Sequence, residues 1–184
     1  MSEAVKVALI KDRAFFEWIK ANAALLAAGN MEAMQYLIKR CAELHLQHIA
    51  GGDPFEMGSS RPLDFGHWSA HKVEQLSGFN IRHGEAVAMG IALDSAYSFL
   101  EGRLEEADAK TIVAVLKALG FSVTHPLVDI QNEESPVLKG LQEFREHLGG
   151  QLTIMLLESV GKGVEVHELD ATLLQKASEW LKAC

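Results

Sequence analysis

A mainly α protein, a multi-helix bundle with one small β-hairpin, is what this sequence predicts, and three observations predict it. Apolar residues recur at helical spacing through most of the chain. Runs that would read as parallel strands are missing, as is any Gly-rich strand-to-helix turn. β-Branched residues cluster once, around Val160-Gly161-Lys162-Gly163, where they suggest a short hairpin.

Taken in order, Asp12 is a natural N-cap for a helix through Phe15, Phe16, Ile19 and Leu26, closed by Gly29. Asn30 caps the next, along which Leu37, Cys41, Leu44 and His48 form a stripe reaching about Ala50. The Gly-, Pro- and Ser-rich stretch 51–62 interrupts the pattern and reads as a long loop. A helix is expected from about Leu63 to Leu76, then a turn at "SGFNIR". His83 to Leu100 follows, apolar on almost every side and so destined for the centre of the bundle. Ile112, Val115, Leu116 and Leu119 mark an amphipathic helix ended by Gly120, and another is expected from about Ser135 to Leu148. Asp170 caps a terminal helix carrying Leu173, Leu174, Ala177 and Leu181.

Bulk properties narrow the functional classes. A chain of 184 residues is the size of one domain with a substantial core. The net charge of −8 and the lack of any basic stripe argue against nucleic acid as a partner. No apolar run reaches membrane-spanning length and no signal peptide opens the chain, so the cytoplasm is the expected location. Cys41 and Cys184 are the only cysteines, and neither placement suggests a structural disulfide.

The chemistry concentrates in histidines. His67 and His71 are four apart, on one face if their segment is helical, and His83 opens the next helix. Neutral imidazole suits zinc, and a catalytic zinc keeps three protein ligands and one open position. Two histidines four apart are equally an ordinary polar helix face. Glu3, one helical turn before Lys6, is a candidate carboxylate, although an acidic residue there also favours a helix N-terminus. Asp64 is open to three readings: a ligand, a partner to a ligand, or the N-cap of its helix.

Three stretches in order, "SEAVKVALIKDRAFFEWI", "RPLDFGHWSAHKVE" and "HGEAVAMGIAL", resemble the C-terminal half of 3-dehydroquinate synthase and related sugar phosphate cyclases. The 16-residue spacing from His67 to His83 agrees with that family. The resemblance implies that Glu3, His67 and His83 hold a divalent metal, usually zinc, with cobalt or another divalent ion as substitutes. It makes His71 a contact for substrate phosphate and for proton transfer, although Ala70 stands where the family's G-H-x-x-G-H stretch has glycine. Lys6 matches a lysine that touches substrate.

The implied activity is that of a carbon–oxygen lyase acting on a sugar phosphate. NAD-assisted oxidation, β-elimination of phosphate, reduction and an intramolecular aldol closure follow one another. An NAD-binding α/β domain is expected to precede this chain, which is then the metal- and substrate-binding C-terminal domain. The resemblance also implies a place in the shikimate pathway and aromatic amino acid biosynthesis, and leaves room for a homodimer.

Departures from the family pattern bear on the substrate. The positions that hold the substrate carboxylate in dehydroquinate synthases fall near His45, at Ser60 and at Asp64, with Arg61 able to stand in for the missing arginine. Arg145 is a further candidate anion contact. A pocket with these substitutions is expected to prefer a sugar phosphate lacking the carboxylate. Two other readings compete: the helical domain of a metal-dependent polyol or alcohol dehydrogenase, and a non-catalytic helical binding module.

Overall fold

The computed structural model describes residues 1–50, 64–147 and 152–184. The chain opens with α1 (Ser2–Lys11), a helix whose residues are mostly buried. Asp12 leaves the helical conformation at φ −152°, and its side chain accepts the Phe15 N–H at 3.0 Å to start α2 (Arg13–Ala21). The guanidinium of Arg40 donates to the same carboxylate at 2.6 Å, tying this corner to α4 (Met31–Ala50). The single helix expected from Asp12 to Gly29 is divided at Asn22, whose side-chain amide donates to the Trp18 carbonyl at 2.8 Å. The short α3 (Ala23–Ala27) follows. Asn30 then caps α4 as expected, accepting the Ala33 N–H at 3.0 Å.

Residues 51–63, with the expected loop 51–62, Ser60 and Arg61, lie outside the described residues; beyond them α5 (His67–Leu76) and α6 (His83–Leu100) form the heart of the molecule. The expected start near Leu63 is corrected to His67. Gly66, at φ +76°, occupies the N-cap position, so Asp64 does not cap this helix. α6 begins where expected and is buried continuously from Ala86 to Ser98. It contacts α1, α5, α7 (Glu106–Ala118), β1 (Ile154–Ser159) and α9 (Ala171–Ala183). An apolar helix has no preferred side to show to water, and central placement satisfies all its faces.

The helix expected from Ser135 begins as a 3-10 turn at Pro136–Leu138 and continues as α8 (Lys139–His147). β1 and β2 (Lys162–Val166) pair antiparallel, with Ile154 opposite Val166 and Leu157 opposite Gly163. The hairpin is fastened from two sides: Gly161 N–H donates to the Leu9 carbonyl at 2.7 Å, and Leu157 N–H donates to Ser98 Oγ at 3.2 Å. Asp170 caps α9 through the Leu173 N–H at 3.0 Å. Among the described residues no helix is long and apolar enough to cross a membrane.

α5 and α6 come together through two glycines. A Cβ on Gly90 would lie 1.9 Å from the Gly66 carbonyl oxygen, and one on Gly66 would lie 2.6 Å from the Ile91 nitrogen. Backbone therefore meets backbone just before His67. Asp94, fully buried on α6, reinforces the junction by accepting the Gly66 N–H and the Trp68 indole N–H, each at 2.9 Å. Burial raises its carboxyl pKa to about 7, against the two hydrogen bonds, which lower it. The first turn of α5 is held from both its backbone and its side chains.

Candidate metal centre

Three separated segments deliver Glu3, His67 and His83 to one place. Glu3 is in the first turn of α1, His67 opens α5 and His83 opens α6. His67 Nε2 lies 3.3 Å and His83 Nε2 3.2 Å from the same atom, Glu3 Oε1. One ligand atom from each residue falls within 4.8 Å of the others. The other carboxylate oxygen, Oε2, takes an ion pair from the buried Lys6 at 2.6 Å. Burial works against the charged form of Glu3, but hydrogen bonds from His67 and Lys6 outweigh it and lower its pKa to about 2.

The donor set fits a divalent cation. His67 Nδ1 lies 3.0 Å from the Phe65 carbonyl, which can only accept, so that nitrogen carries the proton. The neutral ring then has its lone pair on Nε2, available to a cation held with Glu3, whereas donation from Nε2 to Glu3 needs the charged ring. A second imidazole and a carboxylate complete a mixed nitrogen and oxygen set of the kind zinc takes at catalytic sites. His71, Glu74 and His83 make a second group with the same spread, sharing His83.

His71 lies beside the centre. Its ring centroid is 5.5 Å from that of His67 and 6.0 Å from that of His83. Burial, and then the neighbouring His67, lower its pKa, which keeps the imidazole neutral. It lines a cleft of about 580 Å³ together with Asp64, Trp68, Lys72, Glu74 and Phe79 from this side, and Gly140, Glu143 and Phe144 from α8. Lys72 is buried and donates to Glu143 at 2.5 Å and to Gln75 at 2.7 Å. Phe79 stands at the lip, 76 % exposed and at φ +63°, a backbone conformation uncommon for a residue with a side chain.

The structure thus assembles Glu3, Lys6, His67, His71 and His83, and puts Asp64 on the wall of the adjoining cleft. His45 is elsewhere: with Val7, Ile10, Lys11, Cys41, Leu44 and His48 it lines a separate cavity of about 50 Å³. Arg145 is exposed on α8, one position beyond the cleft-lining Phe144. Arg61 lies outside the described residues. Glu74 was not singled out from the sequence, although it follows His67 by seven and His71 by three residues, the spacing of one helix face.

Comparison with proteins of known sequence and structure identifies the family. The family model described as 3-dehydroquinate synthase C-terminal matches residues 1–139. A 3-dehydroquinate synthase of Pseudoalteromonas atlantica is 31% identical over 183 residues, 95% of this chain and 48% of that one. The structure of ValA, a 2-epi-5-epi-valiolone synthase from Streptomyces hygroscopicus subsp. jinggangensis with NAD+ and Zn2+ bound, superposes with a TM-score of 0.89 at 26% identity. That match covers 99% of this chain and 50% of the other, so the chain spans about half the length of the relatives it matches. With the matched family model extending over well more than half of its residues, the chain belongs to the 3-dehydroquinate synthase C-terminal family.

Proposed function

We propose that this chain is the metal- and substrate-binding half of a sugar phosphate cyclase, a lyase that expels phosphate from a sugar phosphate and closes a carbocycle. The observation that carries the reading is the convergence of Glu3, His67 and His83 on one point, in a chain of this family. Zinc, when bound, supplies Lewis-acid polarisation of a hydroxyl or carbonyl oxygen of the substrate. Glu3, His67 and His83 hold it. Lys6, fixed 2.6 Å from Glu3 Oε2, adds a positive charge beside the centre where an anionic group of the substrate docks. His71, kept neutral by burial and by His67, exchanges a proton with the substrate from an imidazole nitrogen facing the cleft.

The dinucleotide belongs outside this chain. Among the described residues the strands are a lone antiparallel pair, which offers no crevice at the ends of parallel strands for a pyrophosphate. An NAD-binding domain is therefore proposed to complete the cleft.

Substrate choice follows from the charge of the cleft. Its described lining carries the carboxylates of Asp64, Glu74 and Glu143 against Lys72, which is already engaged by Glu143 and Gln75. A substrate carboxylate would meet like charge there. We therefore favour a sugar phosphate without one, such as a neutral heptulose phosphate. The test is phosphate release by the chain joined to its NAD-binding domain, with zinc and NAD, compared with the chain alone. The joined protein should convert a neutral heptulose phosphate, and the chain alone should release nothing. Preference for a carboxylate-bearing heptulosonate phosphate would overturn the substrate assignment. Absence of phosphate release from either compound by zinc-loaded joined protein would overturn the cyclase reading.

A further inference from the structure

We propose that Glu74 is the positioning residue for His83, fixing its ring and tautomer so that Nε2 is offered to the metal. The inference rests on the reading of Glu3, His67 and His83 as a metal-binding set, and deepens it. Glu74 Oε2 lies 3.1 Å from His83 Nδ1, and its side chain is largely buried. A carboxylate only accepts, so the hydrogen bond requires the proton on Nδ1. His83 Nε2 faces a second carboxylate, Glu3 Oε1 at 3.2 Å, but Glu3 is already paired with Lys6, so the single proton of the neutral ring goes to Glu74 on Nδ1 and the lone pair is left on Nε2.

His67 obtains the same result by another route. Its Nδ1–H is held by the Phe65 carbonyl, which the fold fixes, and the ring is buried. The His83 side chain is 48% exposed and sits in the first turn of α6, where its Nδ1 meets a side-chain carboxylate and not a backbone carbonyl. With Glu3 as its only acceptor that ring would carry its proton on Nε2, the nitrogen a metal needs free. Glu74 anchors the proton on Nδ1, and a carboxylate behind an imidazole also makes the opposite nitrogen a stronger ligand.

The backbone of Glu74 takes part in the same arrangement. Its carbonyl accepts the Phe79 N–H at 2.8 Å and the Ser77 hydroxyl at 2.9 Å. These bonds close the turn between α5 and α6, in which Gly78 and Phe79 are consecutive residues of positive φ. One residue therefore shapes the turn that returns the chain to His83 and holds the imidazole that arrives.

The experiment combines long-range proton–nitrogen NMR of the imidazoles in metal-free protein with zinc affinity measured by chelator competition. In the wild type, neutral His83 should appear as the Nδ1–H tautomer. Glu74→Gln retains an acceptor oxygen and should keep both that signature and near-normal zinc affinity. Glu74→Ala should lose the signature and bind zinc about 10–100-fold more weakly, while its metal-free melting curve reports whether it is folded. His71→Ala should bind zinc as the wild type does. An Nε2–H tautomer in the wild type would overturn the proposal, and needs no variant to fold. Parallel loss of zinc in Glu74→Gln and His71→Ala would also overturn it, by making Glu74 a direct ligand. A wild-type protein that binds no zinc yet shows the Nδ1–H tautomer would defeat the metal reading and leave the Glu74–His83 bond standing.

Discussion

Two imidazoles and a lysine share the carboxylate of Glu3, and the distances among them say which atoms face the open centre. The grouping of Glu3 and Lys6 with His67 and His83 came from the resemblance carried by three separated motifs, whereas the histidine spacing by itself left an ordinary polar helix face open. Glu74 was harder to see, because a glutamate on a helix is ordinary until its partner is known. Asp94 was overlooked although it is the one charged residue in the apolar run 86–98. Its role depends on a turn 28 residues earlier in the chain. A raised carboxyl pKa means that the folded protein holds a proton the unfolded chain has released. The contribution of Asp94 is thus fully present below its ordinary value of 3.8 and is lost as pH rises to about 7. Asp94→Asn removes this titration and turns an amide N–H toward one of the two donors, which costs about 1–3 kcal/mol. Denaturant unfolding should show the gap between wild type and variant narrowing between about pH 4 and about pH 7. A gap that stays constant would mean that Asp94 does not titrate in this range.

The elements were legible wherever a local signal decides. Asp12, Asn30 and Asp170 cap helices through the side-chain bonds their identities suggest, and α6 runs from His83 to Leu100 as its pattern indicates. The start of α5 was not legible, because Gly66 adopts its conformation to admit α6, and sequence periodicity carries no record of that approach. Gly90 was concealed in the same way inside an apolar helix. Gly90→Ala tests the crossing. Its Cβ would lie 1.9 Å from the Gly66 carbonyl oxygen, a clash with backbone that no rotamer relieves. The expected loss is at least about 1–3 kcal/mol in chemical denaturation, with weakened zinc binding because His67 moves with its helix. Unchanged stability would show that the two helices are not held this closely.

At the scale of the whole molecule, the central α6 brings the openings of three helices to one end, and the cleft beside them is walled on one side by α8. The fold class was readable because a bundle is specified by periodicity. The cleft was not, because Lys72, Glu143 and Phe144 meet across segments far apart in sequence. His45, placed near the substrate by counting along the chain, instead lines a different cavity. Glu3, His67 and His83 converge on one centre, so locating a metal there is the direct test. Crystals soaked in zinc and measured on both sides of the zinc absorption edge should give one anomalous peak per chain, bounded by Glu3, His67 Nε2 and His83 Nε2. A peak between His71 and Glu74, or none with Glu3, His67 and His83 pointing apart, would contradict the account.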